Sequence, residues 1–236
     1  MGYPYFNLIS TPNIISHCVK IAQMLRRIFE ILLSIILPKE SKILDIENLD
    51  IEYINNLPKA KEIDENTKVL FRYKDKIVKQ AVWEIKYRKN QKIIEKFTKV
   101  LYDFILEEIS DEMLFNNFHS PILIPIPASK GSLKERGFNQ CDLIVKELIK
   151  IDAGKNFSAD FKSLRKIKET KHQSKAKNKI QRLKNLNGCF EADEGIKGKN
   201  IILIDDVVTT RATMREAART LKKAGAKKVI GFAFGH

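Results

Sequence analysis

Two carboxylates stand side by side at Asp205 and Asp206, directly behind the aliphatic run Ile201-Ile202-Leu203-Ile204. A hydroxyl-rich stretch follows, Thr209-Thr210-Arg211-Ala212-Thr213. A short continuous aliphatic run marks a strand buried on both faces, and in open α/β sheets ligands collect beyond the carboxyl ends of such strands. A helix opening after the threonines offers free N–H groups and a favourable dipole to an anion. The acids repel phosphate but accept hydrogen bonds from sugar hydroxyls. Together the residues suit a sugar phosphate. The plainer alternative, Thr209 or Thr210 as an N-cap with acids merely near a positive helix end, leaves two acids behind four aliphatics unexplained.

A second candidate is a run of charge. Arg165, Lys166, Lys168, Lys171, Lys175, Lys177, Lys179, Arg182 and Lys184 give nine cations in twenty residues against one acid, Glu169, a net +8. That exceeds half of the +14 carried by the 236-residue chain, with 43 Lys and Arg against 29 Asp and Glu. Clustered cations release counterions from a phosphate backbone and bind it without reading bases. Single strands also use aromatic platforms, and here only Phe161 and Phe190 flank the run. The expectation is an electrostatic groove for single-stranded DNA. The plainer reading is a solvated face.

The elements that must hold these groups alternate in type. Val69–Tyr73 reads as a strand, and Val78, Ala81, Val82 and Ile85 follow at helical spacing. Ile93, Ile94, Phe97, Val100, Leu101, Phe104 and Ile105 form the stripe of a second helix. Pro121–Pro127 reads as a buried strand whose prolines force an extended exit and a loop. A helix is expected over 139–150, a strand over 201–204, a helix over 212–224 stopped by Gly225, and a last strand over 229–234. Strands alternating with helices mean α/β with a mostly parallel twisted sheet flanked by helices. Upstream, a helix is expected from Ile14 to Leu37, with short helical turns and loop over 39–66. The division drawn is a helical N-terminal extension, 1–66, and an α/β domain, 67–236.

The segment IDDVVTTRAT resembles the phosphoribosyl-pyrophosphate signature of type I phosphoribosyltransferases. The resemblance implies that Asp205 and Asp206 contact the ribose hydroxyls and that Thr209, Thr210, Arg211, Ala212 and Thr213 hold the 5′-phosphate. One position departs: the family normally has glycine where this chain has Arg211. Arginine adds a guanidinium for the phosphate or crowds the loop, and the first is the expectation. Ala128, Ser129 and Lys130 fall where that family has its pyrophosphate loop. Arg136-Gly137-Phe138-Asn139-Gln140 is similar to the RGFNQ signature of the ComF-like branch, and Arg165, Thr170, Gln173, Arg182, Asn185 and Phe190 follow that branch's order. Trp83-Glu84-Ile85-Lys86-Tyr87 also looks like one of its elements. The resemblance covers about residues 69–236.

It implies a type I phosphoribosyltransferase-like fold, Mg²⁺ together with phosphoribosyl pyrophosphate or a related sugar phosphate, and a role in natural transformation. There the partners are single-stranded DNA, a competence helicase and a DNA-loading protein. The alternative is an active transferase moving ribose 5-phosphate to a base or amine. ComF-like proteins commonly begin with a four-cysteine zinc ribbon. Cys18, Cys141 and Cys189 are too scattered for one, so no zinc is expected and each reads as a small buried hydrophobe. The longest apolar run, Ile28–Leu37, is half the roughly 20 residues of a membrane span and carries Glu30. A buried or amphipathic helix and a cytoplasmic location are expected. His17, His119, His172 and His236 lack partners for a metal site.

Overall fold

The computed structural model describes residues 45–168 and 187–236, all within a unit running from Asp45 to His236. The helix expected over 14–37 lies outside the described residues. So do Lys171, Lys175, Lys177, Lys179, Arg182 and Lys184 of the basic run, with Thr170, Gln173 and Asn185.

The four aliphatics Ile201–Ile204 form the middle of β6 (Asn200–Val207), and none of them reaches solvent. β7 (Lys228–Gly235) and β2 (Ile122–Pro125) flank it. β1 (Thr67–Phe71) lies beyond β7, and the short β3 (Ser158–Ala159) lies beyond β2. All four pairings are parallel. Alternation along the central strands divides the core. Ile202, Ile204, Ile230, Phe232 and Phe234 pack with α2 (Lys76–Trp83), α3 (Gln91–Phe115) and α5 (Gln140–Asp152). Ile201, Leu203, Val229 and Ala233 pack with Met214, Ala217 and Leu221 of α6 (Ala212–Lys223). The expected α/β architecture with a parallel sheet between helices is therefore what the chain builds.

Two positions bring α6 close to the sheet. Gly231 lies between Val229 and Ala233 on β7, and a β-carbon there would stand 2.5 Å from Met214 Sδ. Gly225 ends the helix at φ 95°, where a residue without a β-carbon is free to turn. Overpacking a filled core costs typically about 1–3 kcal/mol. Gly231→Val is therefore expected to lower the unfolding free energy by that much in urea denaturation, because Met214 sits in the first turn of α6 and cannot retreat without moving it.

Residues 39–66 carry the expected short helical turn: α1 (Ile51–Asn55) forms, and Ile46, Ile54 and Leu57 join the core beside α3. The chain departs from the sequence expectations at two places. The exit after Pro127 is not only loop, because Ser129 caps a short α4 (Lys130–Arg136). The helix expected to reach Ile85 closes as a π-helical turn, Glu84–Arg88. No helix among the described residues is long and apolar enough to cross a membrane.

From β2 the chain moves outward through α5 to β3. From β6 it moves the opposite way through α6 to β7. The carboxyl ends of β2 and β6 thus border the crevice at which such sheets take ligands. The two strands run in register, Pro125 beside Ile204, and the Ile126 N–H donates to the Ile204 carbonyl at 2.8 Å.

Candidate functional site

Asp205 and Asp206 end β6 in that crevice, and they face different partners. Asp206 is buried. Gln140 Nε2 donates to its Oδ1 at 3.1 Å, and Lys86 Nζ lies 2.7 Å from its Oδ2, close in distance but off hydrogen-bond direction. Asp205 is half-buried; its Oδ1 accepts from the Asp206 N–H at 2.9 Å and from Cys141 Sγ at 3.5 Å. Burial and the adjacent Asp206 charge push the Asp205 carboxyl up to about 7, against the pull of the Lys86 ammonium. Burial alone would lower the Lys86 pKa; Asp206, with a smaller effect from Asp205, outweighs it and holds it raised. Burial also keeps the Cys141 thiol protonated well above the usual range, and both acids add to this.

Beyond the acids the loop turns into α6. The N-cap of α6 is Arg211, with φ 60° and ψ −5° and no side-chain capping bond. The capping alternative for Thr209 or Thr210 is therefore not what the loop adopts. The first N–H groups of α6 lack a side-chain cap, as an anion site requires. Asp205, Thr209, Thr210, Arg211, Thr213 and Met214 line a small pocket here. The left-handed conformation at 211 favours glycine and costs a β-branched or longer residue about 1–2 kcal/mol. This accounts physically for the glycine that the resemblance puts at this position.

The remaining motif residues frame the acids. Ser129 Oγ accepts from the Ser132 N–H at 3.0 Å as the cap of α4, so its hydroxyl serves the helix. Ala128 precedes it and Lys130 is exposed in the first turn of α4. Gly137 ends α4 at φ 76°. Asn139 caps α5, accepting from the Cys141 N–H at 3.2 Å, while its Nδ2 ties the turn to the Ile126 carbonyl at 3.1 Å. Arg136 is half-buried, and Lys89 Nζ stands 4.4 Å above the Phe138 ring. Of the RGFNQ residues, Gln140 touches the acids and Asn139 positions it.

The Phosphoribosyl transferase domain family matches residues 142–234. Competence protein ComFC of Bacillus subtilis (strain 168) is 33% identical over 158 residues, 66% of this chain and 58% of its own length. Competence protein F of Haemophilus influenzae is 28% identical over 109 residues, 45% of this chain and 46% of its own length. The chain is a ComF-like protein of the type I phosphoribosyltransferase family. It spans roughly half the length of the curated relatives it matches. Among solved structures, the allosteric regulatory enzyme of purine biosynthesis is a distant likeness, with a TM-score of 0.37 at 15% identity over 64% of this chain and 30% of that one.

Lys86 is the residue of the candidate site to which the sequence assigned no role in this ComF-like chain. Its signal was the WEIKY element, quoted above without a role. The π-helical turn carries Lys86 to Asp206, and such single turns recur at functional sites. The donor set also bears on Mg²⁺, which takes hard oxygen ligands. Asp205 and Asp206 supply these, and Gln140 Oε1 is a further buried oxygen without a hydrogen-bond partner. Cys141 Sγ lies within 4.8 Å of ligand atoms on both acids, but a thiol suits softer metals.

The basic run begins on an antiparallel ribbon, β4 (Leu164–Lys166) with β5 (Phe190–Ala192). Arg165 grips Asp193 through two bonds, Nη1 at 3.0 Å and Nη2 at 2.6 Å, and Glu191 lies 3.6 Å away. Its charge is matched within the ribbon. Lys166 lies over the Phe190 ring at 5.8 Å, and Lys168 is exposed.

Proposed function

We infer that this ComF-like protein binds phosphoribosyl pyrophosphate or a related sugar phosphate at the carboxyl end of β6 and serves DNA uptake. The observation that carries the reading is the pairing of Asp205 and Asp206 with an uncapped α6 at the crevice between β2 and β6. The acids accept from ribose hydroxyls, and Thr209 to Thr213 and the first N–H groups of α6 take the 5′-phosphate. Mg²⁺ bound with the ligand supplies charge neutralisation for the diphosphate. The names of the relatives, competence proteins, support a role in natural transformation. Single-stranded DNA is the partner proposed for the run from Arg165 to Lys184, with a helicase and a DNA-loading protein as proposed partners in the same process.

The test is calorimetric titration of the pure chain with phosphoribosyl pyrophosphate and Mg²⁺, and separately with single-stranded DNA over a salt series. Charge-assisted hydrogen bonds are worth about 1.5–3 kcal/mol each, so Asp205→Asn with Asp206→Asn is expected to weaken the sugar phosphate tenfold or more. DNA binding should survive that change, since carboxylates do not attract a polyanion. Unchanged sugar-phosphate affinity in a folded double variant counts against this reading.

A further inference from the structure

Arg211 occupies a glycine-like backbone position, and its side chain leaves the loop for the lead-in to β1. Nη1 donates to the Ile63 carbonyl at 3.2 Å and lies 3.6 Å from Asp64 Oδ2. Arg215, one turn along α6, places Nη2 3.5 Å from the same oxygen. Asp64 is itself fixed: its Oδ1 accepts from the Asn66 N–H at 3.2 Å, and the Asn66 carbonyl accepts from the Gly231 N–H at 2.8 Å. One carboxylate therefore faces two guanidinium groups, leaving a surplus positive charge beside the pocket that Arg211 lines with Thr209, Thr210 and Thr213.

We propose that Arg211 is the specificity-determining residue of the phosphate loop, held in reserve by Asp64 and transferred to the phosphate of an arriving sugar phosphate. The proposal rests on the loop being a phosphate site. The resting pair is weak: it is a single contact, not a fork, between side chains 34% and 28% exposed, and solvent screens such pairs. A phosphate monoester offers two charges and three oxygens, which a guanidinium can meet bidentately. Arg215 remains to neutralise Asp64 after the exchange. A phosphodiester carries one charge and competes poorly with Asp64, so the exchange favours monoesters over a nucleic-acid backbone.

The experiment titrates ribose 5-phosphate and inorganic phosphate into the full chain and into Asp64→Asn, Arg211→Gly and the double variant, with circular dichroism as the folding control. Glycine suits φ 60°, so Arg211→Gly keeps the fold. Asp64→Asn is expected to tighten both probes about fivefold by removing the competitor, and Arg211→Gly to weaken them about tenfold. The double variant should match Arg211→Gly alone. Equal affinity in Asp64→Asn, or tightening that persists in the double variant, overturns the proposal, since Asp64 then acts as a strut or through bulk charge. No binding of either probe to the unaltered chain would instead sink the phosphate reading itself, and the proposal with it.

Discussion

Lys86→Met is expected to destabilise the folded protein by about 3 kcal/mol at neutral pH, the low end of what removing one partner of a buried ion pair costs. The cause is specific. Asp206 is buried, and the Lys86 ammonium 2.7 Å away is its counter-charge. Methionine fills similar space but leaves two adjacent carboxylates facing each other. The Lys86 side chain is 25% exposed, so some of the charge is screened, which argues for the low end. Replacing both partners is far less costly than removing one. Lys86→Met with Asp206→Asn should therefore recover most of the loss. Urea denaturation of the three chains reads this directly, and a single variant within about 0.5 kcal/mol of the unaltered protein would mean the pair behaves as a surface contact. Mg²⁺ should raise the midpoint of Lys86→Met more than that of the unaltered chain, since a divalent cation can take the place of the lost ammonium between the carboxylates.

What could be seen in the sequence was what local pattern encodes. Four aliphatics in a row must be shielded on both faces, so β6 and its position between helices were legible, as were the acids at its end. The stripe from Ile93 to Ile105 was legible because a helix repeats its face every three to four residues. Lys86 was not legible as a site residue. The π-helical turn breaks the helical repeat at Glu84, so the side-chain direction of Lys86 cannot be taken from the spacing of Val78, Ala81, Val82 and Ile85. Its partner is also 120 positions away. The basic run shows the opposite limit. Composition counts Arg165 as a free cation, but the β4–β5 register sets it opposite Glu191, which brings Asp193, two residues on, within its grip. At Arg211 the departure from glycine was visible. The backbone angle that makes glycine the natural occupant, and the contact with Asp64 that engages arginine there, depend on how the lead-in to β1 packs beside α6.

The unequal surroundings of the two acids lead to a pH dependence with a definite sign. Asp205 has a carboxyl pushed up to about 7 by burial and by Asp206, against an unfolded value of 3.8. Between those values the folded chain holds a proton that the unfolded chain has released, so the stability from this group is complete below about pH 4 and is lost as pH rises through 7. One proton difference is worth about 1.4 kcal/mol per pH unit. The unaltered protein should thus be about 3 kcal/mol less stable at pH 8 than at pH 5 on account of Asp205. Asp205→Asn abolishes this slope, and the difference between the two chains isolates it from every other titrating group. Binding runs the other way: Mg²⁺ and sugar hydroxyls both want the carboxylate, so Mg²⁺ affinity should rise about tenfold from pH 6 to pH 8 as the proton leaves. Urea midpoints and Mg²⁺ titrations over pH 5–8 measure both trends. Parallel stability curves for the two chains would place Asp205 in an ordinary carboxylate environment, with Lys86 neutralising both acids rather than chiefly Asp206.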